Sequence, residues 1–538
     1  MEKKEKKKLL LAITLSMLSL SSYANAQDVS NWADLSSTLK SGTNATLTQD
    51  IQASSQYIDM DDVNSEVSLD LNNYSITGAG LGTAAITPGF GKFSIVDGTI
   101  QNFVNDGSYA SQWGIAAMLG GALQNNGSNS YVTNVAFNNN SAPFGGAIAN
   151  LKAIDNTNPI SEGNKITVTS TDSNYTGNSA QLGGAILNLA TRTYGSEDEF
   201  AIEQGEFAKN AIVNIKAESK DVTFSGNSAT TAGGAIFNMG TVNIEAAEGK
   251  KVEFATASDD IYNNNELNLV SGDIIINSAI TDKNVDLSAY GLGTFGGQGV
   301  TNIKNGANVV ANAIDQKALN IENGGTLTTN ISGLDVTDTI SNNGVLNLNG
   351  GKGEWNILDP LTNTANLNEN ISGNGSTNFV SGNTQVTSNI ETEININDGE
   401  TNVLVSNNNQ GKLTLGQSGK DINNNNGVLG IDKNVNISGN LTTGSDSETY
   451  ILSANSISSS ITNNGQLGLF DGTLSKNVTG NGTVVIGGNL NNNAEINADY
   501  VQIAEGFEIL GQNYTGHLTT NASNVTSGNG IINNSLLT

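Results

Sequence analysis

The fold follows from a stretch that recurs along the chain, residues 175–188, which reads YTGNSAQLGGAILN. An aromatic residue stands three positions before an Asn, and a Gly-Gly-Ala-Ile unit and a second Asn follow. The same arrangement recurs over residues 137–150 and 224–238, and residues 120–125 hold a degenerate copy, GGALQN. Self-similarity with a period of tens of residues is typical of solenoid proteins, in which each repeat forms one coil.

The three full copies share six kinds of position, which are the candidate structural or adhesive residues of this chain. The Asn precedes the first Gly by five residues in two copies and by six in the third. Successive copies are 25 to 50 residues apart, which fits one or two turns of about 20–25 residues, some with inserted loops. We interpret these segments first as turn geometry and core packing, and second as an adhesive face. The positions are Phe137, Asn140, Gly145, Gly146, Ala147, Ile148, Tyr175, Asn178, Gly183, Gly184, Ala185, Ile186, Phe224, Asn227, Gly233, Gly234, Ala235 and Ile236.

A second repeat runs from about residue 261 to the C-terminus and has the form Ile-x-Asn-x-x-x-Leu. Residues 261–269, 340–348 and 461–469 are examples, reading IYNNNELNL, ISNNGVLNL and ITNNGQLGL. Apolar residues alternate with polar ones, which places Ile and Leu on one face of a short strand. Gly and Asn suit the turns between strands, and an Asn amide can also bond to an Asn one coil away. The sequence therefore predicts an all-β fold, a right-handed parallel β-helix.

The chain divides into four predicted regions. Residues 1–26 read as a signal peptide, because five lysines precede an apolar run and Ala24-Asn25-Ala26 gives a cleavage site after Ala26. Residues 27–118 are an N-terminal β region expected to contain the cap of the first coil. Residues 119–240 carry the Gly-Gly-Ala-Ile repeats, with a long insert predicted over 191–217, and residues 241–538 form an Asn/Gly-rich stalk. We expect export to the cell surface, the outer membrane or the extracellular medium.

Composition excludes several classes of partner and chemistry. The chain has 51 acidic and 23 basic residues and a net charge of −28, and Arg192 is its only arginine. Nucleic acid and anionic lipid are therefore poor partners. There are no cysteines, so neither disulfides nor thiolate chemistry can contribute.

The sequence contains no convincing catalytic, cofactor or metal site. His517, the single histidine, and Arg192 are predicted to be solvated surface or loop residues. The pairs Asp61-Asp62 and Asp259-Asp260 could bind a cation, but neighbouring residues on a strand face opposite ways, so turn or capping roles are favoured. Residues 296–301, GGQGVT, resemble a calcium-binding repeat but have Thr301 in place of the aspartate ligand. We predict no enzyme activity and no cofactor.

The paired aromatic-x-x-Asn and Gly-Gly-Ala-Ile units resemble the passenger repeats of chlamydial polymorphic outer membrane proteins, a group of autotransporters. The resemblance covers residues 119–240, and residues 241–538 look like autotransporter stalks in general. It implies a surface-exposed β-helical adhesin whose partner is a protein or glycan of a host or neighbouring cell. It also implies a C-terminal translocation barrel, in cis or in trans. Residues 241–538 keep the stalk pattern, so the barrel is expected beyond this sequence or in a separate protein. Family members also use cysteines, which this chain lacks.

Two alternatives to the adhesin remain at this point. One is a carbohydrate-active β-helix enzyme, of the polysaccharide lyase or glycoside hydrolase type, which would need a Lys or Arg together with aspartates on one face. The other is an inert surface-structural stalk without a receptor.

Overall fold

The computed structural model describes residues 26–54, 56–109, 117–127, 129–155, 164–194, 199–290, 292–353, 364–406, 412–509, 512–533 and 536–537. The predicted signal peptide thus lies outside the described residues except for Ala26. The chain forms two compact units, residues 1–301 and 302–538.

The first unit is built mainly of parallel strands. Its pairings between coils are parallel, and antiparallel pairs occur in two hairpins, Ile186–Tyr194 with Glu199–Ile202 and Val285–Asp286 with Thr294–Phe295. The strands are Gln27–Val29, Ala45–Leu47, Ile51–Gln52, Ile58–Asp59, Val67–Asp70, Ser75–Thr77, Ile86–Thr87, Lys92–Gln101, Leu123–Asn125, Asn129–Asn138, Ile148–Asp155, Ile166–Thr171, Asn174–Thr176, Ser179–Leu182, Ile186–Tyr194, Glu199–Ile202, Ala211–Ala217, Val222–Ser225, Ser228–Ala232, Ile236–Asn238, Thr241–Ala246, Lys251–Phe254, Ile261–Asn263, Glu266–Thr281, Val285–Asp286, Thr294–Phe295 and Val300–Ile303, the last of which crosses the boundary.

One column of inward-pointing residues shows how the coils stack. Each member pairs in register with its counterpart on the next coil, and each is at most 1% exposed. A buried Ile or Leu therefore lies on a buried Ile or Leu at every step, which gives a continuous core from short strands. The predicted parallel β-helix is confirmed. The column is Ile58, Ile86, Leu123, Ile148, Ile186, Ile236 and Ile261.

The unequal spacing of the repeats does not reflect extra turns. Ile148 pairs directly with Ile186, and Ile186 with Ile236, so each interval is a single coil and the two-turn interpretation is wrong. Some of the additional residues form the strand Glu199–Ile202, which pairs antiparallel with Ile186–Tyr194 and buries Ile202 against Leu187 and Leu189. The insert predicted over 191–217 also extends too far. Ala211–Ala217 is a strand whose alternate side chains are buried, because its period of two belongs to the core.

An α-helix, Trp32–Lys40, stands among the first strands, where the sequence analysis predicted only β-structure and a cap. Asn31 caps its N-terminus by accepting a hydrogen bond from the backbone N–H of Asp34, at 2.9 Å. Trp32, Leu35 and Leu39 are buried, and the helix packs against the strands Gln27–Val29, Ala45–Leu47 and Ile58–Asp59. The Asn cap and the apolar spacing of three and four residues were the signals for this helix.

The second unit repeats the same construction with Asn-rich coils. Its described strand pairings between coils are parallel, apart from an isolated antiparallel bridge between Gly351 and Asn383, and Phe507–Ile509 with Gln512–Tyr514 forms an antiparallel hairpin. The strands are Ala307–Gln316, Ala318–Ile321, Thr326–Asn330, Leu334–Val336, Ile340–Asn342, Val345–Asn349, Ala365–Leu367, Ile371–Ser372, Ser376–Ser381, Asn383–Val386, Glu393–Ile396, Asn402–Val405, Leu413–Leu415, Ile422–Asn424, Val428–Ile431, Val435–Ile437, Leu441–Thr443, Glu448–Ser453, Ile461–Asn463, Gln466–Leu474, Val478–Thr479, Thr483–Ile486, Asn489–Asn492, Ile496–Ala498, Tyr500–Ile503, Phe507–Ile509, Gln512–Tyr514, His517–Thr520, Val525–Ser527, Ile531–Asn533 and Leu536–Leu537.

A ladder of half-buried Asn side chains runs along the outward face of this second unit. The Nδ2 of Asn378 donates to Asn347 at 2.8 Å, and that of Asn395 donates to Asn378 at 3.0 Å. Asn423 continues the series by donating to Asn395 at 3.0 Å, while Asn347 donates to the Thr328 hydroxyl at 3.2 Å. The predicted bonding of Asn amides from coil to coil is thereby confirmed.

Candidate functional site

All eighteen repeat residues singled out in the sequence lie in the interior of the first unit. Their side chains or, for the glycines, their backbones are buried, so none offers an exposed group to a ligand. Neighbouring copies are in register, and each kind of position forms its own column through the stack.

The aromatic positions form one of these columns. Phe137, Tyr175 and Phe224 stack with nearly parallel rings, at centroid distances of 5.3 and 4.7 Å. Phe254 extends the stack by one coil, at 4.6 Å from Phe224. Burial raises the pKa of Tyr175, whose hydroxyl is hydrogen-bonded to Ser170 at 2.8 Å. The column supplies hydrophobic burial and stacking worth about 0.5–1.5 kcal/mol per pair.

The Asn residues that follow the aromatic positions form a second column, a ladder of hydrogen bonds. The Nδ2 of Asn140 donates to Asn178 at 3.1 Å, and that of Asn178 donates to Asn227 at 2.9 Å. Each carbonyl oxygen also accepts the backbone N–H of the preceding rung. Asn227 donates to the buried carboxylate of Asp259 at 2.9 Å, which ends the ladder on a group that can only accept.

The Asn that closes each Gly-Gly-Ala-Ile unit forms a further ladder, which the sequence analysis did not count among the site residues. Asn125, Asn150, Asn188, Asn238 and Asn263 are fully buried and joined by Nδ2–Oδ1 bonds of 2.7 to 2.8 Å. Their regular place after the Ile was the signal. Satisfying these buried amides is essential, because a buried polar group without a partner costs about 1–3 kcal/mol.

The two glycines of each unit have different reasons to be glycine. The first adopts positive φ, for example +71° at Gly145 and +64° at Gly183, where a side chain is strained. The second has ordinary φ but no space. A Cβ on Gly146 would lie 2.1 Å from the carbonyl oxygen of Gly184 on the next coil. The repeat is thus required by the close stacking of coils.

Side chains that point outward from the Gly-Gly-Ala-Ile strands are partly covered by the chain itself. Ala149, Leu187, Phe237 and Tyr262 belong to a buried apolar cluster that includes Val285, Leu287 and Phe295 of the second hairpin. The rings of Phe237 and Tyr262 stack at 4.6 Å, and the Tyr262 hydroxyl donates to the Phe295 carbonyl at 3.1 Å. A small apolar cavity lies beneath this cover, between Leu119, Leu151 and Leu292.

The same outward column becomes polar toward the N-terminus, where it lines a cleft. Asp59, Thr87 and Gln124 occupy consecutive coils and precede Ala149 in register. They line a cleft of about 320 Å³, the Asp59 cleft, together with Tyr57, Asp61, Thr83, Ala117 and Asn126. Burial, then the charges of Asp59 and Asp61, raise the pKa of Tyr57. Sequence reasoning missed this cleft, since its members are dispersed over three coils.

The single histidine lies in a second cleft, the His517 cleft, in the other unit. Its lining includes Asp471, Asn489, Asn513, Tyr514 and His517, and its volume is about 460 Å³. Asp471 accepts the backbone N–H of Asn489 at 3.1 Å and pairs with Lys433 at 3.7 Å. The Lys433 ammonium also lies 5.4 Å from the centre of the Tyr514 ring. His517 is half-buried at this cleft rather than an isolated surface residue.

The acidic pairs and Arg192, the remaining candidates from the sequence, have structural positions in turns and strands. Asp259 and Asp260 both accept backbone N–H groups, Asp260 from Gly233 and Gly234, in the capping role that was favoured. In the pair Asp61-Asp62, the backbone N–H of Asp61 donates to the carboxylate of Asp59 at 3.0 Å, in a turn. Arg192 lies on the hairpin strand Ile186–Tyr194 and not in a loop.

Residues 296–299 connect the strands Thr294–Phe295 and Val300–Ile303, and Asp282 holds this connection through its Oδ2, which accepts the N–H of Gly299 at 2.7 Å. Within the described ranges, no group of three His, Cys, Asp or Glu side chains could hold a metal ion. The helices that the structure describes include none long and apolar enough to cross a membrane.

No known protein family, curated protein or solved structure matches the chain.

Proposed function

We propose that this chain is an exported bacterial β-helix passenger that acts as an adhesin or a surface-structural protein. The observation that carries the proposal is that the repeats are used entirely for an internal scaffold of ladders and stacks. Binding is then left to outward side chains and insertions, the usual division of labour in solenoid proteins. The signal-like N-terminus supports export, and the net charge of −28 suits a surface that stays in solution.

The test has two parts, one for location and one for binding. Cells that produce the full-length protein are treated with an added protease, and we expect the chain to be cleaved while the cells remain intact. Purified, labelled chain is then incubated with epithelial and bacterial cells, and we expect saturable binding that unlabelled chain displaces. Protease resistance on intact cells combined with a cytoplasmic location would refute export. Exposure without binding to any cell would leave only the surface-structural role.

A second candidate function is a carbohydrate-active enzyme, and the His517 cleft favours it. A cleft with Asp471, His517 and Tyr514 beside Lys433 places an acid, a base and a cation on one face. Such groups can transfer protons during cleavage of a glycosidic bond. Incubating the chain with a panel of neutral and acidic polysaccharides tests this. Release of new reducing ends or unsaturated products that is lost in His517→Ala would replace the adhesin proposal. Release that is retained in His517→Gln would show that the imidazole ring is dispensable.

A further inference from the structure

The Asp59 cleft differs from the rest of its outward column in being polar, with Asp59 half-buried and with Thr87 and Gln124 buried in its floor. On the later coils, Leu187, Phe237 and Tyr262 lie under the hairpin of Val285 and Phe295. On the earlier coils Asp59, Thr87 and Gln124 instead line a cleft of about 320 Å³, whose described lining includes no residue of that hairpin. That volume lies at the lower end of the range of about 300–1,000 Å³ for small-molecule sites.

The chemistry of the lining selects the ligand. Two carboxylates, two amides, two threonine hydroxyls and a phenol converge there. Of the described residues that line the cleft, none is Lys, Arg or His, so an anionic ligand would meet only negative charge. Carboxylates and side-chain amides are instead suited to ligands that present many hydroxyl groups, since together they accept from and donate to each of them.

The polar groups are held in place before any ligand arrives. Gln124, only 3% exposed, donates from its amide to the Asn126 carbonyl at 2.9 Å. Asp59 is fixed by the N–H of Asp61 at 3.0 Å. Because the floor of the cleft consists of neighbouring strands in register, its side chains lose little conformational entropy when a ligand binds.

Aromatic rings flank this polar floor. Tyr57 lines the cleft, and Tyr109 lies next to it, close to Gly82, which precedes the lining residue Thr83. The ring of Phe90 lies beside Gly127, the residue after the lining residue Asn126, and Phe90 is 69% exposed. A large exposed aromatic beside a polar cleft suits the apolar faces of sugar rings, which carry hydroxyls at their edges and C–H groups on their faces.

We propose that the Asp59 cleft is a binding site for an uncharged oligosaccharide, whose hydroxyls bond to Asp59, Asp61, Gln124 and Asn126 while its ring faces contact Tyr57 and the neighbouring aromatics. The inference rests on the proposed adhesin function and specifies the chemical class of its partner. A glycan of this kind is neutral, so binding is insensitive to salt, in contrast to binding of a charged ligand.

The test begins with the labelled full-length chain on an array of uncharged, sialylated and sulfated oligosaccharides. We expect binding to uncharged members, and we then titrate the best of them by calorimetry. The double variant Asp59→Asn with Asp61→Asn should weaken binding at least 10-fold, and Tyr57→Ala should do the same. The matched control is Asp398→Asn in the other unit, an exposed aspartate that also accepts the N–H two residues on, from Glu400 at 3.2 Å. It should bind as the unaltered chain does.

Several results would overturn the proposal. These are binding confined to sialylated or sulfated members, no binding to any uncharged member, or uncharged binding that the cleft variants leave unchanged. A calcium titration shows whether the carboxylates hold a cation instead, and saturable calcium binding without glycan binding also counts against the proposal. Cell binding that persists in the double variant would refute this cleft but leave the adhesin function standing. Glycan binding without any cell binding would support this cleft but refute the adhesin function.

Discussion

Replacing Asp259 by Asn tests how the buried ladder of the first unit ends. One carboxylate oxygen accepts the N–H and the Nδ2 of Asn227, at 2.8 and 2.9 Å. The other accepts the N–H of Gly226 at 3.0 Å, the N–H of Thr256 at 3.0 Å and the Thr256 hydroxyl at 2.6 Å. In Asp259→Asn the amide oxygen can still accept from Asn227, but the NH₂ group then faces the N–H donors of Gly226 and Thr256. If the amide is flipped, the NH₂ group faces the N–H and Nδ2 donors of Asn227 instead.

The magnitude follows from the bonds that cannot be remade. The N–H of Thr256 loses its acceptor, and a buried donor left unsatisfied costs about 1–3 kcal/mol. The N–H of Gly226 keeps a second acceptor, the Thr256 hydroxyl at 3.3 Å, and that hydroxyl can rotate, so both add little. We expect Asp259→Asn to cost about 1–3 kcal/mol. Because coils of a solenoid are stabilised mainly by their neighbours, the loss should be concentrated near residues 224–262.

Hydrogen exchange of the full-length chain measures this local loss. Amides in residues 224–262 should exchange at least about 5-fold faster in Asp259→Asn, since 1.4 kcal/mol corresponds to a factor of ten. The control is Asp106→Asn, an exposed aspartate whose one bond, from the N–H of Ser108 at 2.9 Å, an Asn can keep. If both variants exchange alike, or if acceleration is uniform along the unit, the role assigned to Asp259 is wrong.

Three further predictions concern the repeat, a buried charge and the N-terminus. Gly146→Ala should lower the free energy of unfolding in urea by at least about 3 kcal/mol, because its Cβ would lie 2.1 Å from the Gly184 carbonyl oxygen. Gly226→Ala, at φ +67° with open space around it, should lower it by about 1–2 kcal/mol. Equal losses would show that the spacing between coils adapts to the added methyl group. Burial raises the pKa of Asp260, so the folded chain binds its proton more tightly than the unfolded chain. Stability should therefore fall as pH rises from about 4 through the raised pKa, and this slope should be smaller in Asp260→Asn; an unchanged slope would assign it to other groups. Mass spectrometry of the exported chain should give Gln27 as the first residue, and a chain that retains Ala26 would move the predicted cleavage site.

The sequence could reveal the fold because the pattern is local. Alternation of Ile and Leu with polar residues indicates which side chains share a strand face, and Gly and Asn indicate where the strands turn. The spacing of Phe137 and Asn140, repeated at Tyr175 and Phe224, even identifies the ladder columns. The position of Asp259 was beyond such reasoning, since it follows Phe254 by five residues instead of three and completes the ladder only across coils.

The two clefts were beyond sequence reasoning for the same reason. Asp59, Thr87 and Gln124 share no motif and are brought together only because Ile58, Ile86 and Leu123 stack beneath them. Nor does the local pattern show that Phe237 is covered by a hairpin around Phe295 while Gln124 lines a polar cleft.

The sequence by itself determined the parallel β-helix, its repeat and the columns of Ile, Asn and aromatic residues, because those depend on periodicity within one coil. Only the tertiary structure decided which intervals are single coils, where the Asn ladder ends, and which outward residues form the Asp59 and His517 clefts. These depend on which coils become neighbours once insertions project from the stack, and that choice is made by packing between residues far apart in the chain.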